Sequence, residues 1–182
     1  VVRERSPLRI YTGADNLGLS AIDYTRFFAG FNYGNLFGCD QILSYQYTTS
    51  TDLKSYQAHT GSYTIPLPWS HVVDFFGGYS TVHTKDMPPP FTRSRGRSMQ
   101  ASMRYTVPLP KYFRPLSHEW RLGCDYKQTD NTLEFVENYP RFGKTVALSQ
   151  AVLGYKGELK TPHWRLSLEV DGYCSPGELF AN

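Results

Sequence analysis

The sequence predicts an all-β protein, an antiparallel up-and-down meander of about nine strands. Three observations lead there. Apolar and polar residues alternate with period two over many segments, and no stretch holds the 3.6-residue period of a helix. The hexapeptide Tyr-Thr-Ile/Val-Pro-Leu-Pro occurs twice, over Tyr63–Pro68 and Tyr105–Pro110, and each copy closes an alternating stretch. The connections between stretches alternate between compact and open.

Alternation and turn residues place the strands near Leu8–Ala14, Thr25–Leu36, Gln41–Thr49, Tyr56–Leu67, Val72–Val82, Ser98–Leu109, Glu119–Thr129, Thr145–Leu159 and Trp164–Tyr173. The first, fourth and eighth alternate least clearly. The fifth sets Val73, Phe75, Gly77 and Tyr79 against Asp74, Phe76, Gly78 and Ser80, with Phe76 the exception. In the sixth, Met99, Ala101, Met103, Tyr105 and Val107 fall on one face, and Gln100, Ser102, Arg104 and Thr106 on the other. The seventh opposes Trp120, Leu122, Cys124 and Tyr126 to Arg121, Gly123, Asp125 and Lys127. The ninth opposes Trp164, Leu166, Leu168 and Val170 to Arg165, Ser167, Glu169 and Asp171.

Two architectures give this pattern. A soluble sheet turns its apolar face into a core, whereas a transmembrane barrel turns it to lipid and keeps the polar face on a wet lumen. The connections favour the barrel. Phe37–Asp40, Pro68–His71 and Lys160–His163 are compact, and Pro110–His118 joins them at greater length. Asn16–Tyr24, Ser50–Ser55, Thr84–Arg97 and Asp130–Lys144 are open and polar. In a meander these two sets fall at opposite ends, and barrels carry short turns at one end and longer loops at the other. The expected fold is therefore part of a transmembrane β-barrel. The run Arg93-Ser94-Arg95-Gly96-Arg97 reads as a solvated loop, with contact to an anionic surface sugar or a passing chain as its alternative.

Composition narrows the function. The chain has 182 residues, with 14 Tyr and 11 Phe, and a net charge of +3 spread over dispersed charges. The aromatics suit interfacial girdles and a sandwich core alike, and the dispersed charge gives no nucleic-acid signal. No apolar run is long enough for a spanning helix. Cys39, Cys124 and Cys174 lack finger spacing, so no metal or other cofactor is expected. His59, His71, His83, His118 and His163 are scattered, with no nucleophile motif beside them, so no enzyme is expected. Val1-Val2-Arg3-Glu4-Arg5 reads as the middle of a longer polypeptide, without a signal peptide.

Arg9–Gly18 with Arg26 and Asn32–Gln41 resembles the start of the barrel in the two-partner secretion transporters, the hemolysin secretion/activation proteins of the Omp85 superfamily. The family's D-N-x-G matches Asp15-Asn16-Leu17-Gly18, and its N-x-x-G-x-x-D matches Asn35–Asp40 with looser spacing. Its Y-x-x-P-L matches Tyr63–Leu67, and its G-Y-S matches Gly78-Tyr79-Ser80. Gly123–Lys127 followed by Asp130-Asn131 resembles the family's seventh strand and loop. Asp15, Asn16, Gly18, Asp40, Gly78 and Tyr79 are thus the family-motif positions. The resemblance implies that residues 1–182 are a partial outer-membrane barrel domain, without its POTRA modules and later strands.

It further implies a protein of the bacterial outer membrane that exports a hemolysin- or adhesin-type partner through a pore, in contact with lipid and not with nucleic acid. Arg104, Arg121, Asp125, Lys127, Arg165, Glu169 and Asp171 are the expected lumen-facing residues, with salt bridging along the wall as their structural alternative. Gly78, Gly123 and Gly154 are expected to relieve crowding there. Arg104 of the sixth strand and Arg121 and Asp125 of the seventh are expected to lie close enough to pair across neighbouring strands. Two other readings stand beside this one: an Omp85-type assembly factor for outer-membrane proteins, and a soluble or surface β-sheet binding module. Burial of Met99, Met103, Trp120 and Trp164 in a protein core would favour the last.

Overall fold

A computed structural model describes residues 6–18, 22–84, 91–110, 115–135 and 142–176. The described residues form nine strands: β1 (Leu8–Asp15), β2 (Arg26–Leu36), β3 (Gln41–Ser50), β4 (Tyr56–Pro66), β5 (Val72–His83), β6 (Phe91–Pro108), β7 (Leu116–Phe135), β8 (Phe142–Lys160) and β9 (Arg165–Cys174). They form one sheet in chain order, each strand antiparallel to the next. Among the described residues no helix is long and apolar enough to cross a membrane.

The sheet corrects the expectation of a transmembrane β-barrel. Closure requires the first strand to hydrogen-bond the last. Here β1 pairs with β2 and β9 with β8, and among the described residues the sheet is open, the outer edges of β1 and β9 having no strand beside them. Alternation is the same in an open and a closed sheet, so the sequence pattern alone did not separate them.

Two stretches expected as open loops, Thr84–Arg97 and Asp130–Lys144, are strand over nearly all of their described residues. β6 begins at Phe91 and β7 ends at Phe135, and their register pairs Arg93 with Glu134, Arg95 with Thr132 and Arg97 with Asp130. The arginine run is strand and extends the hairpin instead of forming a loop, with Arg95 and Arg97 exposed on it. Pro88-Pro89-Pro90, expected beside it, lies outside the described residues.

The compact turns repeat one device. β4 ends at Pro66 and β6 at Pro108, where proline has no N–H to continue the ladder. Beyond them the Leu67 amide donates to the His71 carbonyl (2.8 Å) and the Leu109 amide to the His118 carbonyl (2.9 Å). The β2–β3 turn instead uses left-handed backbone at Asn35, Phe37, Gly38 and Asp40, and the Asn35 side chain accepts from the Asp40 amide at 3.1 Å. Ser50–Ser55, expected to be open, exposes Thr51, Leu53 and Lys54 but is closed at its two ends. Asp52 accepts from the hydroxyls of Ser50 and Ser55 at 2.6 Å each and from the Ser55 amide at 3.0 Å, and both serines are fully buried.

Register assigns the faces. Phe75, Met103, Cys124, Ala151 and Cys174 form one row across the apolar face, and Asp74, Arg104, Gly123, Val152 and Tyr173 one across the polar face. Burial is inverted relative to a soluble sheet. Ala58, Val152 and Asp125, which are buried, all lie on the polar face. On the apolar face Met103 is 38 %, Trp120 43 % and Leu166 60 % exposed. Met99 and Trp164 are exposed too, so the described chain builds no core over this face.

Candidate functional site

The polar face owes its geometry to glycines placed opposite long side chains. Arg104 of β6 is in register with Gly123 of β7. Its guanidinium crosses that glycine and makes a two-pronged ion pair with Asp125, at 2.8 and 2.9 Å, while also donating to the Met103 carbonyl at 2.9 Å. The Asp125 side chain is 4 % exposed. Arg121 of β7 is in register with Gly154 of β8, which pairs with Asp171 of β9. Arg121 reaches over Gly154 to Asp171 (3.2 Å) and to Glu169. A Cβ at Gly123 would stand 2.3 Å from the Met103 carbonyl oxygen, and one at Gly154 2.3 Å from Asp171 Oδ1.

The same device recurs near the other edge with neutral groups. Tyr11 of β1 crosses Gly30 of β2 and donates to Gln46 of β3 at 3.1 Å. The Phe28 ring lies over Gly13. These glycines are therefore filled by their neighbours' side chains, whereas Gly78 has only ordinary contacts, the nearest 3.7 Å away on Thr60.

Of the expected lumen-facing residues, five gather into these two ion-pair clusters: Arg104 with Asp125, and Arg121 with Glu169 and Asp171. Arg165 stands apart at the turn, 3.1 Å from Glu158, which also binds Lys160 at 3.1 Å. Lys127 lies on the same face as Asp125, in register with Gln100. Between β3 and β6 the face is almost free of charge. Ser44, Ser62, Thr60, Gln100 and Ser102 line it, Asp74 is hydrogen-bonded to Thr64 at 2.6 Å, and Phe76 stands exposed among them.

The family-motif positions are mostly turn chemistry. Asp15 accepts from Arg26 at 2.9 Å and from the Leu17 amide at 3.1 Å; the Leu17 amide, followed by Arg26, holds its carboxyl below the usual carboxylate range. The Thr51 hydroxyl does the same for Asp23 in the adjoining loop. Gly18 donates to the Tyr24 carbonyl at 3.0 Å. Asn16 is exposed beside them. Asp40 closes the β2–β3 turn, and Tyr79 is exposed on the apolar face beside Gly78 of the polar one.

Sequence reasoning missed an aromatic row at the compact-turn end of the apolar face. Trp69 Nε1 donates to the Tyr105 hydroxyl at 3.4 Å, and His71 hydrogen-bonds the same hydroxyl. Trp120 and His118 pack edge-on to Tyr155. Its signal was the placing of Trp or His at each turn. The three cysteines are free, and no metal-holding cluster exists among the described residues.

Fold and site together define a one-layer β-sheet, apolar on one face and ion-paired on the other. The family model described as haemolysin secretion/activation protein ShlB/FhaC/HecB matches residues 1–137, and the chain belongs to that family, whose members are secretion proteins of the outer membrane and not enzymes. A solved structure, CdiB from Escherichia coli, matches with TM-score 0.81 at 14 % identity, over 100 % of this chain and 34 % of that one. At that identity the likeness is one of fold, and this chain spans about a third of that chain's length. No curated protein sequence matches this chain.

Proposed function

We propose that this chain handles the exported partner of a two-partner secretion system on the polar face of its sheet, while the apolar face lies against outer-membrane lipid. The burial carries this reading: Ala58, Val152 and Asp125 are buried on the polar face, and Met103, Trp120 and Leu166 are uncovered on the apolar one. An unfolded polypeptide presents unpaired amides and carbonyls, and the hydroxyl and amide strip from β3 to β6 offers them partners. The paired charges of β6 to β9 leave little free charge to hold the passing chain. The open sheet supports a binding surface, and not a pore closed by this chain alone. Its unpaired edges favour a second reading, assembly of outer-membrane proteins, because an edge strand offers free backbone groups to an incoming strand.

Photo-crosslinking side chains at Ser62 and Gln100 (polar face), at Met103 and Leu166 (apolar face) and at Leu168 on the β9 edge test this during secretion. The partner should crosslink from Ser62 and Gln100 only. Capture from Met103 or Leu166 would overturn the assignment of faces, and capture of nascent outer-membrane proteins at Leu168 alone would favour the assembly reading.

The same reading orients the sheet, with the Pro66–Pro68 and Pro108–Pro110 turns towards the periplasm and the β6–β7 hairpin end towards the cell surface. With a membrane-impermeant thiol reagent on whole cells, a cysteine at Ser94 should label and one at Ser70 should not. The reverse pattern would invert the orientation.

A further inference from the structure

We propose that the apolar face carries a site for a membrane lipid with an anionic phosphate headgroup, held by Arg95 and Arg97 with its acyl chain in a trough at Gly61, Gly77 and Ala101. The proposal rests on the reading that this face meets lipid.

The face has a graded polarity along β5 and β6. From Val107 to Met99 the outward residues of β6 are Val107, Tyr105, Met103, Ala101 and Met99, a band of about 27 Å at strand rise. The aromatic row of Trp69, Tyr105, Trp120 and Tyr155 marks one margin of the band, as such side chains do at a membrane interface. At the other margin the next two outward residues are Arg97 and Arg95, both exposed. They are in register with Thr81 and His83 of β5. An apolar band closed by two outward guanidiniums complements an amphipathic, anionic occupant, and guanidinium forks match phosphate oxygens.

Neither guanidinium has a carboxylate within ion-pair distance among the described residues. Asp130 is in register with Arg97 on this face and offsets part of its charge. Arg95 has His83 on one side, whose Nδ1 has no hydrogen-bond partner, and Thr132 on the other.

The trough supplies the other half of the ligand. Gly61, Gly77 and Ala101 lie in one row across β4, β5 and β6, so three adjacent strands lack a large side chain at the same height. Tyr45, Tyr63 and Phe75 wall the resulting hollow of about 480 Å³. Ala101 is four residues from Arg97, or about 14 Å. That matches one leaflet of hydrocarbon, roughly half of a 30 Å bilayer core. A lipid whose phosphate meets Arg95 and Arg97 therefore carries its chain to the trough.

The test is native mass spectrometry of the purified full-length protein in detergent, titrated with dilauroyl phosphatidylglycerol or with phosphatidylcholine of the same chains. The wild type should bind the anionic lipid about tenfold more tightly, as expected for two surface arginines partly offset by one acid. The double variant Arg95→Gln/Arg97→Gln should bring the two lipids within about twofold. Ala101→Leu, which fills the trough, should weaken both lipids and keep their ratio. Equal binding by the wild type, a preference that survives loss of both arginines, or full binding by Ala101→Leu would overturn the site. If neither lipid bound, the lipid-facing reading itself would fail.

Discussion

Truncating Arg104 to alanine should lower stability by about 3 kcal/mol, the largest loss from any single charge on the polar face. The Asp125 carboxylate is 4 % exposed and takes both prongs of that guanidinium. Without Arg104 it is a nearly buried anion left with the Ser102 hydroxyl and the weaker pull of Lys127, and taking away the close partner of such a group costs more than the pair contributes. Asp125→Ala should cost less, about 2 kcal/mol, because the Arg104 side chain is 28 % exposed and can turn to water. The double variant should therefore be more stable than Arg104→Ala alone. Lys127→Ala on the same face should stay within about 0.5 kcal/mol. Denaturant titration of the four variants in detergent gives the order directly. An Arg104→Ala loss no larger than that of Lys127→Ala would mean that the pair is incidental to the fold.

This pair also marks what a sequence can and cannot disclose. Alternation over Met99–Val107 and Trp164–Gly172 placed the strands and their faces, because the period of two survives in any sheet with one greasy side. Adjacency of the sixth and seventh strands followed from the meander, so the meeting of Arg104 and Asp125 was legible. That Arg104 must lie across Gly123 was not, since it depends on a register set over a long hairpin. Arg121 over Gly154 is hidden for the same reason, with its acids one strand further on. The open sheet was hidden too, since nothing in the alternation of β1 or β9 says whether the two edges meet. The arginine run at 93–97 reads as a loop because a strand of polar residues leaves no hydrophobic period. The Ser50–Ser55 turn looked open for a similar reason: its polar residues satisfy one another instead of water. Gly18 and Asp40 stood out as family motif positions, and the structure gives them local turn roles.

The polar-face glycines give the last prediction, and its sign changes from one position to the next. Gly123→Ala should destabilise by about 2 kcal/mol, because its Cβ would sit 2.3 Å from the Met103 carbonyl oxygen and 2.6 Å from Arg104 Cδ. The carbonyl is ladder backbone and cannot rotate away, so β6 and β7 must separate locally and the Arg104–Asp125 pair loosens with them. Gly154→Ala meets a side chain instead, Asp171 Oδ1 at 2.3 Å. That carboxylate can swing aside, so the loss should be about 1 kcal/mol, the worth of one partly exposed ion pair. Gly78→Ala meets nothing closer than 3.7 Å. There the added methyl reduces the freedom of the unfolded chain without strain, and stability should rise by about 0.5 kcal/mol. Thermal unfolding of the three variants in one detergent tests the series, with secretion of the partner as a second readout. Three equal losses would mean that alanine is excluded for a backbone reason common to the face. A loss at Gly78 as large as that at Gly123 would mean that the polar face needs open space above Gly78, in keeping with a chain that passes there.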